Sequence, residues 1–168
     1  RPRDPWPGDT ARGRGLCGGA FTLEGQQKPI CRRLWETENL STAWINHLHG
    51  FEWLRDLRSV GGDNGRIQAR DLVADWMNRF NGWDEQVWRA DITGLRVSNW
   101  VMLYDFFGAS ADEEFQDRFF NSLMRQSRHL ARALPGTLYG LPLLQGIRGL
   151  IMAGLSIPGY ESWLIQGL

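Results

Sequence analysis

Only two cysteines, Cys17 and Cys31, occur in the 168 residues. One possible pair is no disulfide framework, and neither belongs to a Cys-x-x-Cys or Cys/His cluster that would hold zinc. Free thiols are the expectation. Charge of either sign is not in excess: 19 Lys and Arg balance 19 Asp and Glu. That argues against a nucleic-acid binder, which usually carries a basic surplus or stripe, and against a polybasic membrane anchor. A long apolar run is missing as well. The most apolar stretch, Leu138 to Leu155, is interrupted by glycines, Pro142, Gln145 and Arg148, and makes a poor membrane span. No basic n-region precedes an apolar h-region, so no signal peptide is legible. The start on Arg1 rather than Met and the abrupt stop at Leu168 predict a piece of a longer protein, with any targeting signal outside it.

What is present is an ordinary globular balance, 42% hydrophobic and 23% charged residues, which makes a folded domain the expectation rather than disorder. Tryptophan is the outlier, with nine residues. Its size and polar edge place it in cores and groove walls. Residues 1–40 read as an extended N-terminal segment, punctuated by Pro2, Pro5, Pro7 and Gly8. A short hairpin is expected where Ala20–Leu23 meets the turn Glu24-Gly25.

From Ser41 the pattern turns helical. Trp44, Leu48, Phe51, Leu54 and Leu57 recur every three or four residues, predicting one helix capped by Ser41 or Thr42 and ended by Gly61-Gly62. A second helix is predicted over 65–80, stopped by Asn81-Gly82. The third, from Asp91 to Phe107, is apolar on more than one face, which buries it between neighbours. Ser110-Ala111-Asp112-Glu113 fits a capping box for the fourth, closed by Pro135-Gly136. The fifth is predicted over 142–157, and a sixth from Tyr160. The fold class is therefore all-α: α/α helical hairpins over 41–168, a partial toroid or solenoid, behind a short irregular or β-hairpin N-terminus.

Few motifs carry chemistry. Gly13-Arg14-Gly15-Leu16-Cys17-Gly18 matches the dinucleotide fingerprint but lacks a strand before it, so a flexible turn is expected and no cofactor. His47 and His49 point about 200° apart on one helix and cannot share a metal; His47 alone is a candidate proton carrier, set against a bland structural histidine. Asp84, Glu85, Asp91 and Asp105 form no evident acid/base pair. Trp88, Arg89 and Asp91 lead into a helix on which Arg96, Asn99 and Trp100 share a face. Guanidinium, amide and indole together suit a sugar acid; a buried Arg beside a core Trp explains the same spacing.

Several segments resemble the bacterial heparinase II/III-like proteins: Asp4-Pro5-Trp6-Pro7-Gly8-Asp9, His47-x-His49-Gly50-Phe51-x-Trp53-Leu54-Arg55-Asp56-Leu57, Gly94-x-Arg96-Val97-x-x-Trp100 and Gln126-x-x-His129-Leu130. The resemblance implies an α/α toroid, a missing C-terminal β-sandwich domain on the same chain, and eliminative cleavage or binding of an acidic polysaccharide or oligosaccharide, in a bacterial periplasm or envelope. Taken with the shared helix face, it makes Trp88, Arg89, Arg96, Asn99 and Trp100 the expected substrate contacts, and the chemistry it implies needs no metal. The loop 135–142 departs from the pattern, since Tyr139 is its one ionisable residue; Tyr139 joins His47 as a catalytic candidate. The alternative expectation is a non-catalytic α-solenoid scaffold that binds a protein partner.

Overall fold

One helix, α5 (Ala90–Phe107), is buried on nearly every face and sets the plan of the molecule. Its composition dictates this, because a helix without a polar stripe needs neighbours all round. In the computed structural model, which describes residues 2–167, those neighbours are α2 (Thr42–Gly50), α3 (Leu54–Val60), α4 (Gly62–Arg79), α6 (Glu113–Ala133) and α7 (Gly140–Ser156). Ahead of them lie α1 (Thr10–Cys17) and an antiparallel hairpin, β1 (Ala20–Leu23) and β2 (Gln26–Pro29), paired from Ala20 opposite Pro29 to Leu23 opposite Gln26. The last helix is α8 (Ser162–Gly167), packed on α7. The architecture is all-α with a short N-terminal β-hairpin, as the periodicity predicts.

The closest helix packing is α5 on α7, and glycine makes it possible. A Cβ on Gly94 would lie 2.3 Å from the Gln145 carbonyl oxygen, and one on Gly149 would lie 2.4 Å from the Gly94 Cα. Both backbones therefore occupy space that any side chain would claim. Among the described residues, no helix is long and apolar enough to cross a membrane. The outward face of α7 and α8 is nonetheless apolar, with Leu141, Leu144, Leu155 and Ile165 each more than half exposed.

The structure departs from the expected elements in four places. The predicted helix after Ser41 is two helices, broken at Phe51, which adopts a left-handed conformation (φ 62°). That costs a non-glycine residue steric energy. Packing compensates: the buried Phe51 ring stacks on Trp35 and meets Trp76 and Trp100 edge-on, at centroid distances of 6.1, 5.7 and 5.3 Å. The Trp53 indole N–H donates to the Leu48 carbonyl across the break (3.1 Å).

The glycine-rich segment 13–18 is α1 and its cap, not a flexible turn. Asp9 caps it, accepting from the Ala11 and Arg12 amides at 2.8 and 3.0 Å. Gly13 is a contact residue, since a Cβ there would lie 2.1 Å from the Asp56 carbonyl oxygen on α3. The cap of α6 is Asp112, which accepts from the Phe115 amide (2.8 Å), while Ser110 instead receives Arg70. Finally, α7 begins at Gly140 rather than at Pro142. Cys17 and Cys31 are free thiols, and both are exposed.

Candidate functional site

The predicted face of Arg96, Asn99 and Trp100 exists, and it points into the protein. All three are fully buried. The Arg96 guanidinium donates from Nε to Gln126 Oε1, from Nη1 to the His49 and Val87 carbonyls (3.0 and 3.1 Å), and from Nη2 to Thr93 Oγ1 (3.3 Å). It also lies 4.3 Å from the Trp76 ring centroid, a cation–π contact. Carbonyl and amide oxygens stand in for water around this cation. Burial pulls its pKa down to about 9, so it stays charged at neutral pH.

Asn99 joins two elements. Its Nδ2 donates to the Gly50 carbonyl (2.7 Å), and its Oδ1 accepts from Arg55 Nη2 (2.9 Å). Trp100 packs against Phe51, Trp76 and Phe119, with its indole nitrogen buried and unbonded.

Arg55 carries this network to the N-terminus. The Asp4 side chain is wholly buried and accepts from Arg55 Nε at 2.9 Å, with Arg58 Nη2 at 3.1 Å. Arg58 also donates to the Asp4 and Trp6 carbonyls. One turn away, buried Asp56 accepts from the Asp9 amide (2.7 Å) and pairs with Arg12 (3.0 Å). Gly8 completes the staple, because a Cβ there would lie 2.0 Å from the Arg55 carbonyl oxygen. The sequence reading misses this set. The available signal was two acids, Asp4 and Asp56, matched by Arg12, Arg55 and Arg58, but their pairing spans more than forty residues and leaves no local pattern.

The remaining candidates lie apart. Trp88 is buried, edge-on to His129 at 5.3 Å, and its carbonyl accepts from His129 Nε2 (2.8 Å). Arg89 pairs with its near neighbour, buried Asp91, through both carboxylate oxygens. His47 is half-buried between Phe21 and Trp44, and burial, with Arg12 nearby, lowers its pKa to about 4. Tyr139 is 84% exposed in the loop before α7. Buried His49 accepts from the Trp76 indole at Nδ1 (3.1 Å), and burial plus the Arg96 charge lower its pKa to about 3. Both His47 and His49 are therefore neutral at pH 7. The structure brings Arg96, Asn99 and Trp100 together as the spacing predicts, and their polar atoms, other than the Trp100 indole nitrogen, are engaged within the fold.

Comparison with known proteins returns one relevant likeness. The chain is 34% identical over 160 residues to FtsZ-localized protein C of Caulobacter vibrioides, an alignment that covers 92% of the chain. The chain spans 27% of that protein's length. No known family matches the chain, and no solved structure does.

These findings correct the expected kinship with heparinase II/III-like polysaccharide lyases, and with it the expected acidic-polysaccharide partner and β-sandwich domain. The motifs that suggested the kinship have physical roles in this fold. The Asp-Pro-Trp-Pro-Gly-Asp segment is the staple on α3, and the Gly94/Arg96/Trp100 set is the packing surface of α5. Short motifs that build a helical frame do not by themselves specify chemistry.

Proposed function

We propose that this chain is a non-catalytic helical scaffold that binds a protein partner, within a protein that localises with FtsZ. The observation that carries the reading is the 34% identity to FtsZ-localized protein C along nearly the whole chain. The geometry supports it from the other side. Arg96, Asn99, Trp88 and Trp100 hold α5 against its neighbours, Arg89 pairs with Asp91, His47 packs between Phe21 and Trp44, and Tyr139 is exposed in the loop before α7. The helical hairpins then serve as a rigid frame whose outer faces are available to a partner.

The test is sedimentation of the purified protein with polymerised FtsZ, alongside imaging of a fluorescent fusion in cells. The reading expects co-pelleting that depends on FtsZ, and a fusion that coincides with FtsZ. Equal pelleting with and without FtsZ, together with a diffuse fusion, would overturn it.

A further inference from the structure

The protein is neutral overall, yet its cations are not evenly spread. Two adjoining grooves run along the C-terminal half of α4. The first, of about 610 Å³, is bounded by the loop after β2 and by α4, and Arg32, Arg33 and Arg79 stand on its walls. The second, of about 270 Å³, lies between α4 and α6 and is lined by Arg118 and Arg125. Asn78 lines both, so the two grooves adjoin, and Arg118 donates to its amide oxygen.

Five arginines thus face two acids, and both acids are already engaged. Glu36 accepts from Arg33 (2.6 Å), and Asp75 accepts from the Trp35 indole N–H (2.6 Å). Among the described residues, the guanidinium groups of Arg32, Arg79 and Arg125 make no hydrogen bond or ion pair. Trp35 supplies an aromatic floor, held flat by its stack on Phe51. Trp35, Glu36 and Arg79 also line an adjoining pocket with Glu38 and Asp84, and these two acids bound the basic stretch at that end.

We propose that these adjoining grooves are the docking surface for an acidic, extended segment of a protein partner. The inference rests on the scaffold reading and names the surface and chemistry of its partner. Charge complementarity is the argument. Cations with no intramolecular partner do little for the fold, but arranged along one groove they attract a chain of carboxylates and fix its register. A fixed fork of donors suits carboxylates better than a diffuse positive face does.

The experiment uses a fluorescein-labelled decapeptide of alternating Glu and Asp, read by fluorescence anisotropy against the whole protein. Its partners are the variant Arg32→Gln/Arg79→Gln/Arg118→Gln/Arg125→Gln and a control, Arg14→Gln, at an exposed position of α1. Circular dichroism confirms that each is folded. The expected result is saturable binding that falls with salt, a loss of roughly tenfold or more in the fourfold variant, and none in the control. Binding that is absent, or unchanged in the fourfold variant, would overturn the proposal. So would a single-stranded DNA decamer competing as well as the peptide, because the grooves would then be a site for polyanions in general. Sedimentation with FtsZ separates the two levels. A protein that pellets with FtsZ but fails the peptide test loses only this surface, and one that fails to pellet loses the scaffold reading.

Discussion

Arg96 on α5 and Arg79 on the adjacent α4 are the same residue in opposite settings. Arg96 is fully buried, and four of its donor positions are spent on Gln126, His49, Val87 and Thr93. Arg79 is exposed on a groove wall, and its guanidinium has no partner among the described residues. The contrast separates two uses of a cation. A buried guanidinium costs several kcal/mol to desolvate, and only a full set of acceptors offsets that. It therefore cannot turn toward a ligand without dismantling the core. An exposed one gains little from the fold and loses little when removed. A site on this protein is better sought where arginines are left over than where they are most elaborately held.

The largest expected effect comes from the buried side of that comparison. Arg96→Met keeps most of the volume but leaves the His49 and Val87 carbonyls and Gln126 Oε1 without a donor. Each orphaned buried acceptor costs about 1–3 kcal/mol, so a loss of about 4 kcal/mol is expected in urea unfolding followed by tryptophan fluorescence. A loss below about 1 kcal/mol would show that the Arg96 network does not hold α5, and the contrast with Arg79 would collapse.

Gly94→Ala tests the same helix without touching a charge. The added methyl meets the Gln145 carbonyl at 2.3 Å and the Gly146 Cα at 2.5 Å, both backbone atoms that cannot swing aside. Forcing α5 and α7 apart is expected to cost about 2–3 kcal/mol. Melting unchanged within about 2 °C would mean that the two helices are free to slide.

How much of this was legible in the sequence follows from how local each signal is. The hairpin, and the start or stop of most helices, rest on short-range periodicity and on glycine or proline, and they appear where predicted, within two or three residues. The break at Phe51 was not legible, because three aromatic rings from distant segments, Trp35, Trp76 and Trp100, pack on that residue in a left-handed turn against its own propensity. Helix α1 was hidden for a related reason. Gly13 weakens a helix in isolation, and only the approach of Asp56 explains it. The shared face of Arg96, Asn99 and Trp100 was readable from spacing. Whether it looked outward was not, because burial depends on neighbours that spacing does not name. The groove arginines come from the loop after β2, from α4 and from α6, and no single segment shows a basic run.

The next effect is smaller per step and carries its own sign. His49 beside Arg96 has its pKa lowered to about 3, and His47 to about 4, chiefly by burial. An unfolded histidine titrates near 6.5 and so binds protons that the folded protein refuses. Each group's stability is fully present above about pH 6.5 and falls as the pH drops toward its folded value. The slope is about 1.4 kcal/mol per pH unit per group. Urea midpoints should therefore be flat from pH 7 to 8 and decline steadily from pH 6 to 5. Midpoints level down to pH 5 would mean that both imidazoles accept protons in the folded protein. That would be hard to reconcile with His49 packed against a buried cation.

The smallest expected effect completes the comparison from the exposed side. Arg79→Gln and Arg125→Gln should each change stability by less than about 0.5 kcal/mol, because neither removes a contact that the fold uses. The informative quantity is the difference from Arg96→Met measured under the same conditions, expected to be about 3 kcal/mol or more. If Arg79→Gln instead cost more than about 1 kcal/mol, the groove cations would be part of the frame, and their clustering would need no partner to explain it. If they are neutral to stability, the fold gives no reason for Arg32, Arg79 and Arg125 to stand along these grooves without a partner, and that favours the binding role proposed for them.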